Sequence, residues 1–144
     1  MASNRLAKYN PDLVTITVGG VLIQGYADGE FVVIEDMSPL FNEEIGTDGE
    51  VARSPSNDRR KKITIKLLQT SKSNAVLSAL LQADLNTPNG ATFECSVEDT
   101  LGGTICHGAE SWIVSYPSSS FDRTAKSREW ELHVANGDRA EAGN

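Results

Sequence analysis

The sequence predicts an α+β fold that is mainly β, an antiparallel β-sandwich or barrel with one flanking helix. Apolar and polar residues alternate in several short runs, the hydrophobic period changes once to the helical value, and turn residues separate the runs. A length of 144 residues suits a single domain with one core. We count about seven strands and one helix, without an internal repeat.

The first strands form a predicted hairpin. Valine and isoleucine alternate with threonine over residues 14–18, Gly19 and Gly20 supply a turn that tolerates positive φ, and a returning strand begins at Val21. The next strand, residues 31–34, is apolar on both faces, which is expected of a strand buried between two layers or against a partner. Ahead of the hairpin, residues 1–11 are predicted to form an N-terminal arm.

Residues 35–62 show no hydrophobic period and are predicted to form a long loop without regular structure. Such loops in a compact domain are usually functional or disordered. This one carries apolar side chains that are exposed unless another chain covers them, and exposed apolar clusters generally mark contact surfaces. We interpret it as an inter-subunit loop; a floppy surface loop is the alternative. Its candidate contact residues are Leu40, Phe41, Ile45, Asp48, Glu50, Val51, Arg53, Arg59 and Arg60.

A strand followed by a helix is predicted from residue 63 onward. Ile63, Ile65 and Leu67 alternate with other residues, as in a strand with one buried face, whereas the apolar residues of 76–83 recur at helical spacing. Ser71 is the predicted N-cap of the helix. Asn74 stands where a complete capping box has Glu or Gln.

Three further strands are predicted after the helix, at residues 91–97, 104–116 and 128–134. In the last of them apolar and polar residues alternate, so that each kind occupies one face. The apolar face is expected to lie against the helix surface formed by Leu77, Leu80 and Leu81. Trp130, Leu132 and Val134 form the apolar face, and Glu129, Glu131 and His133 form the polar one. Residues 136–144 are polar and are predicted to form a loose C-terminal tail.

The charge balance argues against a general nucleic-acid binder. Thirteen basic and twenty acidic residues give a net charge of −7, whereas affinity for phosphate backbones comes mainly from lysine and arginine. The basic run of residues 59–62 is therefore expected to pair with carboxylates of this or a neighbouring subunit. We find no apolar run long enough to cross a bilayer and no signal peptide, so we expect synthesis in a cytoplasm without membrane insertion. In such a reducing compartment, Cys95 and Cys106 are expected to be free, buried thiols.

No set of residues predicts a catalytic, metal or cofactor site. Cys106 and His107 are neighbours on one strand and point to opposite faces, so they are poorly placed to share an ion. Glu129 and Glu131 share a face and could serve a small hydrolase as an acid–base pair, but polar strand faces show this pattern far more often. A ligand-binding β-sandwich with an aromatic platform is another alternative, and Trp112 and Trp130 give it weak support. A self-associating structural subunit fits the sequence best.

Several short stretches match a known family in the same order along most of the chain. They are residues 46–50, residues 63–71 with Asn74 and residues 77–78, Cys106 with Ala109, Pro117, residues 125–126 and residues 129–130. Through these stretches the chain resembles the tail-tube proteins of contractile-tailed bacteriophages, which are related in fold to the type VI secretion tube protein. A type VI-like or prophage-derived contractile particle is the alternative source of such a subunit.

The resemblance implies a homo-oligomer of six-fold rings that stack into a hollow tube inside a contractile sheath. The sheets of six subunits would merge into one barrel around the lumen, and the long loop and terminal arms would reach adjacent rings. Further implied partners are the sheath, tape-measure, baseplate and tail-terminator proteins, with DNA passing through transiently. The implied location is the virion tail, assembled in the bacterial host cytoplasm.

The lumen of such a tube is expected to repel DNA rather than bind it. DNA carries about one negative charge per 1.7 Å of axis, so a wall of fixed carboxylates offers it no adhesive sites. The candidate residues for this lumen wall are Asp99, Glu129 and Glu131.

Overall fold

A computed structural model describes Leu6, residues 9–100, Gly103 and residues 105–141. The other residues of the predicted N-terminal arm and the last three of the predicted tail lie outside the described residues. In chain order the elements are a 3-10 turn (Pro11–Leu13), β1 (Val14–Val18), β2 (Val21–Leu22), β3 (Val32–Asp36), β4 (Phe41–Ile45), β5 (Val51–Pro55), β6 (Lys61–Leu68), α1 (Ser73–Asn86), β7 (Phe93–Asp99), β8 (Ile105–Ser115), β9 (Ser127–Val134) and β10 (Asp138–Ala140).

Eight of the strands form one antiparallel sheet. Its order is β2-β1-β7-β8-β9-β6-β3, and β10 pairs with the part of β8 that β9 does not reach. The strands β4 and β5 form a separate two-stranded sheet. The predicted mainly-β class with one α-helix is confirmed. All seven predicted strands are present, and β4, β5 and β10 are additional.

The main sheet curls because the chain crosses from one of its margins toward the other. After β2, residues 23–31 run to β6, where Tyr26 forms a bridge with Leu67. Backbone hydrogen bonds hold this crossing: Ala27 N–H donates to the Lys66 carbonyl, and Leu68 N–H donates to the Gly25 carbonyl. One face of the sheet is thereby turned inward around the core.

The core combines the inward face of the sheet with one side of α1. The predicted alternation of β6 is confirmed, since Ile63, Ile65 and Leu67 are fully buried. Leu77 and Leu81 of α1 are buried in the same cluster, and Leu80 packs against it, as the helical spacing predicted. The remaining core side chains are Ile16, Val18, Ile23, Phe93, Cys95, Val97, Cys106, Ile113, Trp130, Leu132 and Val134.

The start of α1 differs from the prediction. The helix begins at Ser73, and its N-cap residue is Lys72, which makes no side-chain capping bond. The Ser71 hydroxyl donates to the Gln24 carbonyl and accepts from Ser73 N–H at 3.2 Å. Ser71, the predicted N-cap residue, therefore joins the helix start to the chain that follows β2, because the Gln24 carbonyl lies within reach of its hydroxyl.

Asn74, which stood at the capping-box position of the predicted helix start, has another role in the structure. Its side-chain amide donates to the carbonyls of Leu68 and Ser71, and its Oδ1 accepts from Trp130 Nε1 at 2.9 Å. A glutamate has no N–H groups with which to make the first two bonds. This position thus ties the end of β6, the start of α1 and β9 together.

The prediction of a loose tail is wrong for residues 138–140. They form β10, in which Arg139 pairs in register with Cys106 of β8. The Arg139 guanidinium lies 2.6 Å from a Glu141 carboxylate oxygen and 3.9 Å from one of Asp36. Three polar residues are too few to show an alternating pattern, so the sequence carried no strand signal here.

Both cysteines are free and buried, as predicted. Desolvation raises the pKa of Cys95 to about 12. Desolvation also raises the pKa of Cys106. Because the thiolate is the reactive form, both side chains are held in the unreactive form.

We expect neither thiol to react with a disulfide reagent at pH 8 in the folded protein, and both to react after unfolding. The raised pKa of Cys95 also makes the free energy of unfolding fall as the pH rises from 9.0 toward about 12, because the folded state holds this proton more tightly than the unfolded state does. Thiol titration and urea unfolding at several pH values measure both effects. In Cys95→Ala the alkaline decline should be shallower; an unchanged decline would assign it to other groups.

Candidate assembly surfaces

The predicted loop contains a projecting β-hairpin, so the prediction of a segment without regular structure is wrong. Strands β4 and β5 pair from Phe41 with Pro55 to Ile45 with Val51, and every residue of both strands is exposed. We call residues 41–55 the hairpin. A strand with two exposed faces needs no apolar-polar alternation, which is why the sequence showed no period here.

One face of the hairpin is mainly apolar and also carries the pair Glu43 and Arg53. Phe41, Ile45 and Val51 point to this side, and they are 47%, 72% and 59% exposed. Arg53 extends over Phe41, with its Cζ 4.6 Å from the ring centroid. Exposed apolar clusters of this kind are typical of contact surfaces. Four of the predicted contact residues therefore share one face.

The other predicted contact residues lie at the tip and the base of the hairpin. At the tip, the Asp48 carboxylate accepts from Glu50 N–H at 3.2 Å, and Gly49 takes a positive φ of 88°. At the base, Leu40 and Arg59 line an open cleft of about 550 Å³. The tip is thus acidic and held in a tight turn.

Asp58 fixes the base of the hairpin. The Arg60 guanidinium donates to both of its carboxylate oxygens, at 2.9 and 2.8 Å, and the Ser38 hydroxyl donates to one of them. These hydrogen bonds hold the pKa of Asp58 well below its usual range, and the bond from the Arg60 side chain contributes most. The ends of the hairpin also meet directly, since Ser56 N–H donates to the Leu40 carbonyl at 2.8 Å.

The expected pairing of the basic run with carboxylates is confirmed within the subunit for Arg60, Lys61 and Lys62. Arg60 pairs with Asp58 as described, Lys61 lies 2.7 Å from Asp36, and Lys62 lies 2.9 Å from Glu131. Lys61 is almost fully buried. These cations are therefore already engaged by the chain's own acids.

The outward face of the main sheet carries two of the three predicted lumen residues. Glu129 and Glu131 of β9 stand opposite Lys66 and Thr64 of β6, and Glu131 pairs with Lys62. By register and alternation, this outward face contains seven carboxylates and two lysines, namely Glu35, Glu94, Glu98, Glu110, Glu129, Glu131, Asp138, Lys62 and Lys66. It is acidic on balance, but its charge is partly neutralised.

The structure does not bring Asp99 together with these glutamates. Asp99 pairs in register with Val14 and lies on the same side of β7 as the buried Val97. With Val14, Val97 and Phe31 it lines a groove of about 450 Å³ beside β3. Strand alternation therefore places it on the opposite face from Glu131.

The alternative sites gain no supporting geometry. Trp130 is buried in the core, whereas Trp112 pairs in register with His133 on the outward face, so the two do not form an aromatic platform. Among the described residues, no three or more His, Cys, Asp or Glu side chains are grouped so that they could hold a metal ion. None of the helices in that part of the chain is both long and apolar enough to cross a membrane.

Comparison with known proteins identifies the family. The model of the Bacteriophage PhiTE tail tube protein family matches residues 10–140, which is nearly the whole chain. The chain belongs to this family. The family consists of structural tube proteins rather than enzymes, and the protein is accordingly a component of a phage tail. The suspected resemblance is confirmed.

Relatives of this tail tube protein agree in sequence and in fold. Structural protein ORF10 of Pseudomonas phage KPP10 is 26% identical over 149 residues, covering 99% of this chain and 86% of the relative. A chain of the PVC extracellular contractile injection system, in its extended sheath-tube complex, has a TM-score of 0.66 at 14% identity, covering 94% of this chain and 93% of its own length. A chain of the PVC sheath/tube terminator has a TM-score of 0.63 at 16% identity, covering 94% and 98%.

Replacement of Asp58 by asparagine should loosen the hairpin without unfolding the domain. The variant keeps the size of the side chain but loses the charge that binds Arg60 and Ser38. Hydrogen exchange of amides in the hairpin should become several-fold faster, while the thermal midpoint of the core changes little. Because the pKa of Asp58 is lowered, acidification to about pH 4 should leave the wild-type hairpin protected.

Asp28→Asn is the matched control, since within the described part of the chain this exposed aspartate bonds only to the N–H of the next residue. If Asp58→Asn and Asp28→Asn give the same exchange rates in the hairpin, the anchoring role of Asp58 is wrong.

Proposed function

We propose that this tail tube protein assembles into six-fold rings, that the rings stack into a tube inside a contractile sheath, and that DNA passes through the tube. The exposed hairpin carries this proposal. It is a folded projection with an exposed apolar face on a subunit whose family forms tubes. Such a face is typical of a contact surface rather than of a free monomer. The sheath-tube complex of the structural relative supports the proposed sheath partner.

Lateral contacts within a ring are assigned to the margins of the main sheet. On the described part of the chain, β3 pairs with β6 on one side and with no strand on the other. Val32, Val33 and Ile34 are only half-buried there. An unpaired edge with apolar side chains favours pairing with another chain. In a closed ring each subunit covers the edge of the next, so that the sheets merge into one barrel.

Axial contacts between rings are assigned to the hairpin. Its exposed apolar side chains, Phe41, Ile45 and Val51, would be buried against the next ring, as the hydrophobic effect favours. The acidic tip, with Asp48 and Glu50, would meet polar or basic groups. The N-terminal arm and the C-terminal tail are proposed to reach the same neighbours.

The outward sheet face, with Glu129 and Glu131, is assigned to the lumen. Its excess of carboxylates over lysines repels the phosphate backbone of DNA. Lys62 pairs with Glu131 and Lys66 stands in register opposite Glu129, so the positive charge of this face lies beside acids. Asp99 is not part of this surface, because it lies on the other side of the sheet.

The remaining proposed partners follow from the tube. They are the tape-measure protein in the lumen and the baseplate and tail-terminator proteins at the two ends, with assembly in the bacterial host cytoplasm. The similarity to a sheath/tube terminator supports a terminator partner. A prophage-derived or type VI-like contractile particle is the second candidate, favoured by the fold similarity to an extracellular contractile injection system.

Electron microscopy of the purified protein tests the proposal. Concentrated protein should form hollow rods or stacked rings, and class averages viewed along the axis should show six-fold symmetry. A monomer that persists at high concentration, or rings of another symmetry, would overturn the corresponding part of the proposal. Isolation of tails from an infected host, with or without packaged genome, separates a virion from a particle that carries no DNA.

Removal of the hairpin should abolish stacking while the domain still folds. Residues 41–55 can be replaced by a short glycine-serine linker, since the Ser56 N–H already meets the Leu40 carbonyl at 2.8 Å. We expect single rings or monomers by sedimentation, with an unchanged circular dichroism spectrum of the sheet core. As a control, Asn42→Ser alters only the polar side of β4 and should leave tubes intact. Normal tubes from the shortened protein would refute the axial assignment.

Neutralisation of the lumen glutamates should slow DNA passage without preventing assembly. Glu129→Gln with Glu131→Gln removes two negative charges per subunit and avoids placing new lysines beside Lys62 and Lys66. Genome ejection should become slower, most strongly at low ionic strength, where charges are least screened. Asp28→Asn with Glu30→Gln removes the same charge from a loop outside the sheet. Equal ejection rates for both double variants would contradict the lumen assignment.

A further inference from the structure

A pocket of about 360 Å³ lies between the first turns of α1 and the chain that joins β8 to β9. We call it the Arg128 pocket. Its lining includes the polar side chains of Asn74, Ser78, Tyr116, Ser119 and Arg128. Neither the proposed ring contacts nor the lumen uses it.

Arg128 is an unusual residue for the inside of a subunit. It is only 9% exposed, and its Nη1 is buried without a hydrogen-bond partner. Its Cζ lies 5.5 Å from the centroid of the Phe121 ring, which covers one side of the guanidinium. Among the described residues, no carboxylate lies within ion-pair distance of it. A buried cation of this kind is costly unless an anion pairs with it.

The surroundings of Arg128 suit a carboxylate. The first turn of α1 contains no acidic residue, so the positive end of the helix dipole is not neutralised. Ser78 and Ser119 supply hydroxyl donors in the lining of the same pocket. A guanidinium binds a carboxylate through two parallel hydrogen bonds, and hydroxyl groups can complete the coordination of its oxygens. The pocket therefore has the donors of an acid-binding site and lacks the acid.

We propose that the Arg128 pocket receives a carboxylate from the hairpin of a second copy of this chain, and that Glu44 is the residue that enters it. This inference rests on the proposed tube function. The hairpin carries four acidic residues, Glu43, Glu44, Asp48 and Glu50, and one basic residue, Arg53, so its charge is complementary to the pocket.

Glu44 is better placed than Glu43 or Asp48. Glu43 stands opposite Arg53 in the hairpin ladder, and the Asp48 carboxylate accepts a hydrogen bond within the turn. Glu44 stands opposite Ala52 on the polar face that also holds Asn42 and Ser54. Its carboxylate is exposed at the end of a rigid projection. The apolar face of the hairpin then points away from the pocket and remains available to other neighbours.

Arg128→Met is the decisive variant. Methionine has a similar length and no charge, and replacing a buried unpaired ion by an apolar side chain is often neutral or stabilising. We expect an unchanged or higher thermal midpoint for the monomer, together with a rise of about tenfold or more in the protein concentration needed for assembly. Arg123→Met, which removes the same charge from an exposed site in the same connection, should change neither quantity.

A double-mutant cycle tests the partner. Glu44→Gln alone should weaken assembly as Arg128→Met does, and the double variant should be no weaker than either single variant, because both remove the same contact. Arg128→Lys should restore assembly only in part, since a lysine cannot make the bidentate contact. Multiplicative effects of the two single variants would overturn the assignment of Glu44.

The result separates this inference from the tube function. If Arg128→Met assembles at the wild-type concentration while the hairpin deletion does not assemble, the pocket proposal is wrong and the tube remains. If Arg128→Met lowers the thermal midpoint of the monomer substantially, the side chain stabilises the subunit itself and the proposal is also wrong. If wild-type protein forms no tube, the proposed function fails first.

Discussion

The open backbone margin of β3 is the constraint on which the proposed assembly depends. Hydrogen bonds to β6 satisfy one side of this strand, and along the described chain no strand covers the other. Residues Val32 to Ile34 of this strand are half-buried, so their apolar side chains are neither fully exposed nor enclosed in the core. Charged residues at its end, Glu35 and Asp36, engage Lys62 in register and Lys61 in an ion pair, and so protect only that end. Protection of the rest requires a neighbour, and a ring supplies one to every copy.

The sheet can leave this margin of β3 open because the contacts that hold the core lie in another part of the subunit. The change of hydrophobic period after β6 places α1 directly over the inward face, where Leu77 and Leu81 complete the core. Asn74 then binds the end of β6 through Leu68 and binds β9 through Trp130. Helix position and strand position are thus coupled through one side chain. A subunit held in this way keeps a fixed core, so that contacts between identical copies depend only on its surfaces.

Burial on one face decided how much of this structure the sequence could predict. β1, β6 and β9 have one buried and one polar face, so their alternation was visible, and the core residues followed from it. The hairpin has no buried face, and β10 is three residues long, so neither had a pattern to detect. Asp99 follows the apolar phase of β7, but the predicted strand ended at residue 97, so alternation was not applied to Asp99 and it was grouped with the wrong face. Arg128 was missed, although the sequence carried a signal for it. Arg128 continues the phase of Trp130, Leu132 and Val134 and so stands at a position that alternation predicts to be buried.

The alternation of side chains in β9 also explains how one strand can contribute both to the proposed contact between subunits and to the proposed repulsion of DNA. The proposed tube has to bind copies of itself and must not bind the DNA proposed to pass through it. In β9 the outward side chains Glu129 and Glu131 contribute negative charge to the proposed lumen, while Arg128 on the inward side holds positive charge for the proposed axial contact. The sheet separates the two, because the guanidinium and the outward carboxylates lie on opposite sides of the same strand. A cation on the outward face would attract phosphate, whereas the same cation on the inward face is accessible only to a carboxylate that enters the pocket. Alternation along a single strand is therefore sufficient to keep adhesion between subunits apart from repulsion of the cargo.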